Sequence, residues 1–329
     1  MRCHMSIVSS LVAIAVASLA PAQAPPAPPA GDSPATAPAA KSVSSARKLI
    51  YDEKADAKQQ IAAAVANAQK ENRRVLVQWG ANWCGWCHLL HETCSKDPEI
   101  KKELLYEYDV VLVDIGRFDK NMDLAKELGA NLKDKGVPYL TVLDGSGKPI
   151  ANQETSSLEK GESHDPEKVL AFLKQHQAEP RAAESVLSEG LQQAVAEKKI
   201  VFVHFGAPWC GWCRKMEAWM AQPSVAQILD KAFVDVKIDI DRMTGGPEML
   251  KRFAGEKEQG VPWFAFVNPA TNATLAKSVD SKGGNIGFPV KPDEIEVFAQ
   301  MLKQANTNLS QQDIDALLTS LKDFSKPKS

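Results

Sequence analysis

Two identical pentapeptides, Trp-Cys-Gly-Trp-Cys, carry most of the reactive chemistry in this sequence. They occupy residues 83–87 and 209–213, and the cysteines within each copy are three residues apart. The four thiols are Cys84, Cys87, Cys210 and Cys213. Two thiols at this spacing can cycle between dithiol and disulfide, stay permanently oxidised, or bind a soft metal ion such as zinc.

The two pentapeptides belong to halves of the chain that align when Cys84 is placed on Cys210. Val75 then falls on Val201 and Pro166 on Pro292. Each half predicts a helix, a buried strand, the cysteine turn leading into a helix, an apolar strand, a strand opened by Val-Pro, a short strand and a closing helix. Alternating strands and helices with one late hairpin predict an α/β fold with a mixed sheet.

The sequence also predicts where the halves begin and end. A chain of 329 residues allows about two domains, and we expect them at residues 46–178 and 179–309. Residues 310–329 are expected to form a C-terminal helix and tail. Ser310 and Asp313 predict a capping box at the start of that helix. The helix has no counterpart in the first half, so we expect an appendage.

The first residues have the pattern of a secretory signal. Arg2 and His4 precede an apolar run over residues 7–19, and small residues follow. We expect cleavage after Ala22, with an uncleaved anchor as the alternative, although the run is shorter than the roughly 20 residues that span a bilayer. Residues 23–45 are rich in Pro and Ala and are predicted to be an unfolded tether. The protein is therefore expected to be periplasmic or secreted, without membrane insertion after cleavage.

Composition and charge exclude some classes of partner. The chain is 44% hydrophobic and 24% charged, as is typical of a soluble globular protein, and its net charge is −2. This balance predicts neither nucleic acid nor an anionic membrane as a partner.

Each half resembles a thioredoxin-like domain. The resemblance is carried by a buried strand, a Trp-Cys-x-x-Cys at a helix start and a Val-Pro that opens a later strand. The whole chain resembles exported tandem-domain thiol-disulfide oxidoreductases, and it shares the paired redox domains of protein disulfide isomerase. The resemblance implies two three-layer α/β/α sandwiches with redox-active disulfides, neither cofactor nor metal, protein thiols as substrates and a redox partner that recharges the cysteines.

The position of each pair at a helix start suggests separate roles for its cysteines. Unpaired N–H groups and the helix dipole stabilise a thiolate at the first cysteine, so Cys84 and Cys210 are expected to be exposed nucleophiles. Cys87 and Cys213, one turn further and more buried, are expected to resolve the mixed disulfide.

Other residues of the pentapeptides are expected to support these cysteines: Trp83, Gly85, Trp86, Trp209, Gly211 and Trp212. The glycines let substrate backbone come close, and the tryptophan before each pair forms an apolar wall. Thioredoxin has Gly-Pro where this chain has Gly-Trp, so the resemblance implies a potential between about −270 and −120 mV.

The resemblance also implies that Pro138 and Pro262 are cis prolines facing the cysteines, with trans prolines at a strand start as the alternative. Val137 and Val261 would then offer backbone N–H and C=O groups to an extended substrate, as in strand addition.

The two halves differ where thioredoxins carry a buried acid beneath the cysteines. Gln78 occupies that position in the first half and His204 in the second. Glutamine cannot titrate, whereas histidine titrates near neutral pH. We therefore hypothesise that the domains differ in rate or potential and that His204 relays a proton for Cys213; the alternative is an ordinary strand residue bonded to its neighbours.

The remaining cysteine and histidines leave further alternatives. Cys94 aligns with the apolar Met220, which favours a buried inert thiol over a third redox centre. His88 and His91 follow Cys87 on its helix, where they either decorate the surface or contribute to copper handling. A non-catalytic binding protein, holding a metal or a client, and a redox sensor are the alternative functions.

Overall fold

The structure is a computed structural model of the chain, and it describes residues 49–255, 259–305 and 308–324. The predicted signal peptide and the Pro/Ala-rich segment lie outside the described residues. The described residues all belong to one compact unit. None of the helices in these ranges is both long enough and apolar enough to cross a membrane.

The first half contains six strands and six helices among the described residues: the predicted elements occur in the predicted order, and three helices and two short strands are added between them. Its elements are α1 (Ala57–Glu71), β1 (Arg74–Gly80), α2 (Gly85–Lys96), α3 (Pro98–Glu107), β2 (Tyr108–Asp114), α4 (Met122–Glu127), α5 (Leu132–Lys135), β3 (Tyr139–Leu143), β4 (Pro149–Glu154), β5 (Glu159–Lys160), β6 (Ser163–His164) and α6 (Pro166–His176). A single 3₁₀ turn, Ser156–Leu158, separates β4 from β5.

The second half repeats this order from residue 183 onward, except that its described residues contain no counterparts of α5, β5 and β6 and that one helix is added at its end. Its elements are α7 (Ala183–Glu197), β7 (Ile200–Gly206), α8 (Gly211–Met220), α9 (Pro223–Ala232), β8 (Phe233–Asp239), α10 (Gly246–Ala254), β9 (Trp263–Val267), β10 (Thr274–Lys277), α11 (Pro292–Gln304) and α12 (Gln311–Phe324). Pro166 and Pro292 occupy the first turn of α6 and α11, where their missing N–H costs no helical hydrogen bond.

Each half has a four-stranded mixed sheet. The strand orders are β2-β1-β3-β4 and β10-β9-β7-β8. The central strand β1 pairs with β2 in parallel and with β3 in antiparallel orientation, and β7 pairs with β8 and β9 in the same way. Both sheets therefore have the topology that the predicted late hairpin requires.

Helices cover both faces of each sheet. Alternate residues of β1 point to opposite sides: Val75 and Val77 pack in one cluster with residues of α1, and Leu76 packs in another with residues of α2, α3 and α6. In the second half Val201 and Phe202 divide in the same way. The predicted pair of three-layer α/β/α sandwiches is confirmed.

The C-terminal helix α12 is part of the second core and not an appendage. Ile314, Leu317 and Leu321 are buried in the same cluster as residues of α8, α9 and α11. The capping box is present: the Ser310 hydroxyl accepts from the Asp313 amide at 3.1 Å, and the Asp313 carboxylate accepts from the Ser310 amide at 3.1 Å. The apolar face of α12 packs against α9 and α11.

The two halves meet through polar contacts. Arg242, in the loop after β8, forms a bidentate ion pair with Glu107 at 3.0 and 2.8 Å. Its remaining N–H groups donate to the backbone oxygens of Glu71 and Asn72, both at 2.8 Å, at the end of α1. A single guanidinium therefore binds two helix ends of the first domain to the second.

Candidate redox sites

Each cysteine pair lies where the central strand turns into a helix. β1 ends at Gly80 and α2 begins at Gly85, with Cys84 as its N-cap residue. The sulfur of Cys84 accepts a hydrogen bond from the Cys87 amide at 3.1 Å. Both pairs are disulfides in the structure, and the Cα atoms of each pair are 5.3 Å apart.

The second pair has the same local geometry. Cys210 is the N-cap residue of α8, and its sulfur accepts from the Cys213 amide at 3.0 Å. In both copies the first sulfur thus satisfies one of the amides that a helix start leaves without an intrahelical partner.

The expectation that the first cysteines are exposed is wrong for the disulfide form. Cys84 is 4% exposed and Cys210 3%, against 2% for each second cysteine. The sulfurs are covered because Val137 and Trp86 pack on the first pair, while Val261 and Ala207 pack on the second. The predicted order of exposure holds, but the difference is small.

The two Val-Pro segments face the cysteines. The Val137–Pro138 and Val261–Pro262 bonds are both cis, which is the isomer that the resemblance implied. The carbonyl oxygen of Val137 lies 3.6 Å from the Cys84 sulfur, and that of Val261 lies 3.6 Å from the Cys210 sulfur. Each valine therefore places a backbone polar group beside the first sulfur.

Three of the four active-site tryptophans are exposed: Trp83 (42%), Trp209 (55%) and Trp212 (51%). Trp83 donates its indole N–H to the Gly116 oxygen at 2.6 Å, and Trp209 donates to the Asp241 carboxylate at 2.8 Å. A side chain added at Gly85 would meet no atom within 4 Å. The sites therefore combine a buried disulfide with an exposed apolar rim, which is formed by Trp83 in the first site and by Trp209 and Trp212 in the second.

The fourth tryptophan, Trp86, packs against a buried histidine. The rings of Trp86 and His164 meet edge to face, with centroids 5.5 Å apart. His164 lies on β6, and neither of its ring nitrogens has a hydrogen-bond partner among the described residues. Burial lowers the pKa of His164, which favours the neutral imidazole. The aligned residue of the second half, Val290, carries no such group.

Gln78 and His204 are both buried in the strands that lead to the cysteines. Nε2 of His204 lies 2.9 Å from the Asp235 carboxylate on β8, and its Nδ1 has no hydrogen-bond partner among the described residues. His204 is thus bonded to a neighbouring strand, and the proton relay to Cys213 stays a prediction.

The sequence analysis missed two polar groups close to the second sulfurs, one from the segment before α1 and one from α8 itself. At Gly80, an added side chain would meet the Tyr51 hydroxyl and the Cys87 sulfur, both closer than 3.0 Å. At the equivalent Gly206, it would meet the Cys213 sulfur at 3.3 Å and a Glu217 oxygen at 4.0 Å. Glu217 follows Cys213 at the i, i+4 spacing of a helix, so the sequence could have indicated that the two side chains are neighbours. Tyr51 has no tyrosine at the aligned position of the second half, so the repeat gave no such indication.

Glu217 belongs to a charged cluster that spans the two domains. Lys237 contacts Glu217 at 2.8 Å and Glu71 of the first domain at 2.6 Å. Burial lowers the pKa of Lys237, but the two carboxylates outweigh it and raise that pKa above its ordinary value. The second site is therefore bordered by an ion-pair network to which the first domain contributes.

Cys94 and His88 make contacts of other kinds. Cys94 is a buried free cysteine in the core between α2 and α6. Nε2 of His88 lies 2.9 Å from the Asn82 oxygen. Within residues 49–255, 259–305 and 308–324, no three His, Cys, Asp or Glu side chains are grouped as a metal site requires.

Each of the two sandwiches carries a disulfide at the start of the helix that follows its central strand, α2 in the first half and α8 in the second. This arrangement defines a tandem thioredoxin-fold protein. The model of a thioredoxin-like family matches residues 56–145 and 182–269, one stretch in each half. The chain therefore belongs to the thioredoxin-like family, and the resemblance inferred from the sequence is confirmed.

Protein disulfide-isomerases are among the proteins whose sequences are similar to this chain. The chain is 26% identical over 239 residues to protein disulfide-isomerase tigA of Aspergillus niger, covering 66% of this chain and 65% of that protein. It is 27% identical over 177 residues to protein disulfide-isomerase erp38 of Neurospora crassa, covering 54% of this chain and 46% of that protein. The match thus spans between about half and two thirds of these relatives.

Among solved structures, the chain is similar to a disulphide isomerase from Xylella fastidiosa Temecula1. The sequence identity is 26%, the TM-score is 0.36, and the similarity covers 39% of this chain and 96% of that one.

Proposed function

We propose that this chain is a thiol-disulfide oxidoreductase that exchanges disulfides with exported proteins through its two WCGWC sites. The observation that carries the proposal is the capping role of the first sulfur, which accepts from the second cysteine's amide at 3.1 Å in one copy and 3.0 Å in the other. This amide and the positive end of the helix dipole stabilise the thiolate that reduction creates. The named relatives support the same chemistry, since they are protein disulfide-isomerases.

The exchange begins when a client thiolate attacks the first sulfur, that of Cys84 or Cys210. A client–cysteine bond forms, the intramolecular S–S bond breaks, and its electron pair leaves on Cys87 or Cys213 as a thiolate. The client's second thiolate then attacks the client sulfur of the mixed disulfide and expels the first cysteine as a thiolate. Two electrons have passed from the client to the site, and the client's thiol protons go to water or to the new thiolates. The reverse sequence reduces a client disulfide.

The rim of each site suits an extended, partly apolar segment of a protein. The exposed tryptophans supply apolar surface, the glycine after the first cysteine leaves room for backbone, and Val137 and Val261 supply backbone groups beside the sulfur. The chemistry needs no cofactor because the electrons travel through sulfur. A second redox protein must return the sites to their starting state after each turnover.

The exported location is part of the proposal, and it depends on the signal pattern of residues 1–22. It is tested by expressing the full chain in a bacterium and sequencing the N-terminus of the exported protein. We expect a mature chain that begins at Gln23. A chain that keeps its first 22 residues would contradict cleavage.

The activity is tested by equilibrating the protein in glutathione buffers of graded potential, trapping free thiols with a mass label and reading each cysteine pair by peptide mass. The variants Cys84→Ser and Cys210→Ser each remove one site and serve as controls for the other. Midpoints near −120 to −180 mV would define an oxidase or isomerase, and midpoints near −270 mV a reductase. If neither pair cycled reversibly, the chain would be a binding protein and the proposal would fail.

The proposed relay by His204 has its own test. The pH dependence of exchange at Cys210–Cys213 is measured in the chain with Cys84→Ser, with and without His204→Ala. The relay predicts that the alanine variant changes this pH profile. An unchanged profile would leave His204 with only its bond to Asp235.

A further inference from the structure

The first redox site contains a phenol hydroxyl that the second lacks. Tyr51 is 3% exposed and is buried in one cluster with Cys84 and Cys87. Its hydroxyl and the Cys87 sulfur would both lie within 3.0 Å of a Cβ added at Gly80, so the two groups lie close to each other beside this glycine. A side chain at this position would displace one or both of them, so glycine leaves the room that they occupy.

The site loop itself holds Tyr51 in place. The side-chain oxygen of Asn82 accepts hydrogen bonds from the backbone amides of Ile50 and Tyr51 at 2.9 and 3.0 Å. The side-chain nitrogen of Asn82 donates to the backbone oxygen of Tyr51 at 2.9 Å. Asn82 lies two residues before Cys84, so the segment that carries the phenol is fixed to the loop that carries the nucleophile.

Among the described residues, the second site has no equivalent of this arrangement. Pro208 replaces Asn82 at the aligned position and cannot form such side-chain bonds. The polar group found with the Cys213 sulfur beside Gly206 is the Glu217 carboxylate. The two sites therefore differ in the polar group beside this glycine, a neutral donor in the first site and an acceptor in the second.

We propose that Tyr51 is a hydrogen-bond donor for the first redox site, and that its hydroxyl stabilises the Cys87 thiolate released when a client attacks Cys84. This inference rests on the proposed function. In that step the client–Cys84 bond forms, the Cys84–Cys87 bond breaks, and the electron pair stays on the Cys87 sulfur. Tyr51 donates a hydrogen bond to that charge and keeps its proton.

The environment of Tyr51 keeps the hydroxyl in its donor form. Burial, followed by the negative charge of Asp114, raises the pKa of Tyr51 above its ordinary value. The phenol therefore remains protonated throughout the neutral range, where it can donate to a thiolate but cannot act as a base.

The hydrogen bond changes the redox equilibrium of one site alone. The thiolate exists only in the reduced form, so a donor to it favours the dithiol and raises the potential of the first pair. A hydrogen bond to a charged group changes an equilibrium constant by about tenfold. For this two-electron couple, tenfold corresponds to about 30 mV.

The test compares Tyr51→Phe with Tyr108→Phe in the full chain. Tyr108 is a suitable control because its hydroxyl is also buried and donates to the backbone oxygen of Leu173 in the core. Tyr108 is the first residue of β2, and the other end of that strand approaches the site. Both variants are equilibrated in graded glutathione buffers, and each cysteine pair is read separately by peptide mass. Circular dichroism and the midpoint of the Cys210–Cys213 pair report whether the fold is intact.

We expect Tyr51→Phe to shift the Cys84–Cys87 equilibrium about tenfold toward the disulfide, which makes the midpoint potential of this pair about 30 mV more negative. The midpoint potential of Cys210–Cys213 should stay unchanged. Tyr108→Phe should move neither pair. An unmoved first midpoint in folded Tyr51→Phe, or an equal shift in Tyr108→Phe, would overturn the role of Tyr51 while leaving the proposed function intact. If neither pair of the unaltered protein cycled, the proposed function itself would fail.

A rate measurement gives a second readout on the same variants. Single-turnover reduction of the first pair by a dithiol peptide should slow about tenfold in Tyr51→Phe, because Cys87 becomes a poorer leaving group. An unchanged rate together with an unchanged midpoint would exclude a donor role.

Discussion

The carboxylate of Asp241, beside the second redox site, accepts a hydrogen bond from the hydroxyl of Tyr106 in the first domain at 2.9 Å. The same carboxylate oxygen accepts the indole N–H of Trp209 at 2.8 Å. In the first site the corresponding indole, Trp83, is held by a backbone oxygen of its own domain. The first domain therefore helps to position the rim of the second site, and the reverse contact is not seen among the described residues.

Removal of the Tyr106 hydroxyl should weaken the second site alone. Burial and the hydrogen bond to Asp241 raise the pKa of Tyr106 to about 12, so it acts as a donor at neutral pH. Tyr106→Phe removes a bond of about 1 kcal/mol and leaves the Asp241 carboxylate, which holds Trp209, without its donor from the first domain. We expect about a fivefold slower reaction of Cys210–Cys213 with a dithiol peptide and little change with glutathione, which does not use the rim. The Cys84–Cys87 pair in the same molecule is the control, and an equal effect on both pairs would contradict the prediction.

Loss of the Arg242 guanidinium should destabilise the contact between the domains. The side chains of Arg242 and Glu107 are 10% and 15% exposed. Arg242→Met keeps much of the apolar volume but leaves a mostly buried carboxylate and two helix-end carbonyls without their donor. Removing one partner of such a pair costs about 3 kcal/mol in the free energy of unfolding.

Urea unfolding measures this loss, and Arg252→Met is the matched control. Arg252 pairs with Glu184, and their side chains are 52% and 70% exposed. An exposed pair of this kind contributes about 0.5 kcal/mol. Equal losses in the two variants would show that Arg242 contributes no more than a surface charge.

The docking of α12 should depend on acidic pH through Asp313. Hydrogen bonds from Lys231 and Ser310 lower the pKa of Asp313 from 3.8 to about 2. A carboxyl with a lowered pKa in the folded state contributes stability above its unfolded pKa and loses it as the pH falls through the folded one. The protection of α12 amides against hydrogen exchange, corrected for the pH dependence of intrinsic exchange, should therefore fall between pH 4 and pH 2, and Asp313→Asn should remove this dependence. Asp315→Asn, on the exposed side of the same helix, should leave it unchanged.

Cys94 should remain unreactive in the folded protein. Burial raises the pKa of its thiol to about 12, so almost none of it is thiolate at pH 8. After both disulfides are reduced, iodoacetamide should modify Cys84 and Cys210 at least about a thousandfold faster than Cys94. Peptide mass spectrometry measures the three rates, and the same reagent in urea gives the rate of the unprotected thiol. Modification of Cys94 before unfolding would contradict its burial.

Much of each site could be predicted from the sequence because it depends on local geometry. A cysteine that caps a helix bonds to an amide three residues away, so the spacing of Cys84 and Cys87 already implies the contact. The alternation of Val75, Leu76 and Val77 likewise implies a strand covered on both faces. The repeat of both features in the second half made the fold class secure.

Side-chain direction was harder to predict than position. His204 lies on the predicted strand and is buried as expected, yet its ring bonds to Asp235 on the neighbouring strand. The exposure of Cys84 was overestimated for a related reason, since Val137 covers the disulfide from a segment more than fifty residues away. Neither contact follows from the period of a helix or strand.

The sequence by itself determined two α/β halves and the position of each cysteine pair at a helix start, because these follow from short-range spacing and from a pattern written twice. The thioredoxin-like fold and the redox-active disulfides followed from the resemblance that these features carry. Only the tertiary structure placed Tyr51 beside Cys87 and Tyr106 on Asp241. The first contact depends on the path of the chain before α1, and the second joins residues 135 positions apart across two domains. Such contacts arise from how packed elements meet, and they leave no periodic signal in either partner's own segment.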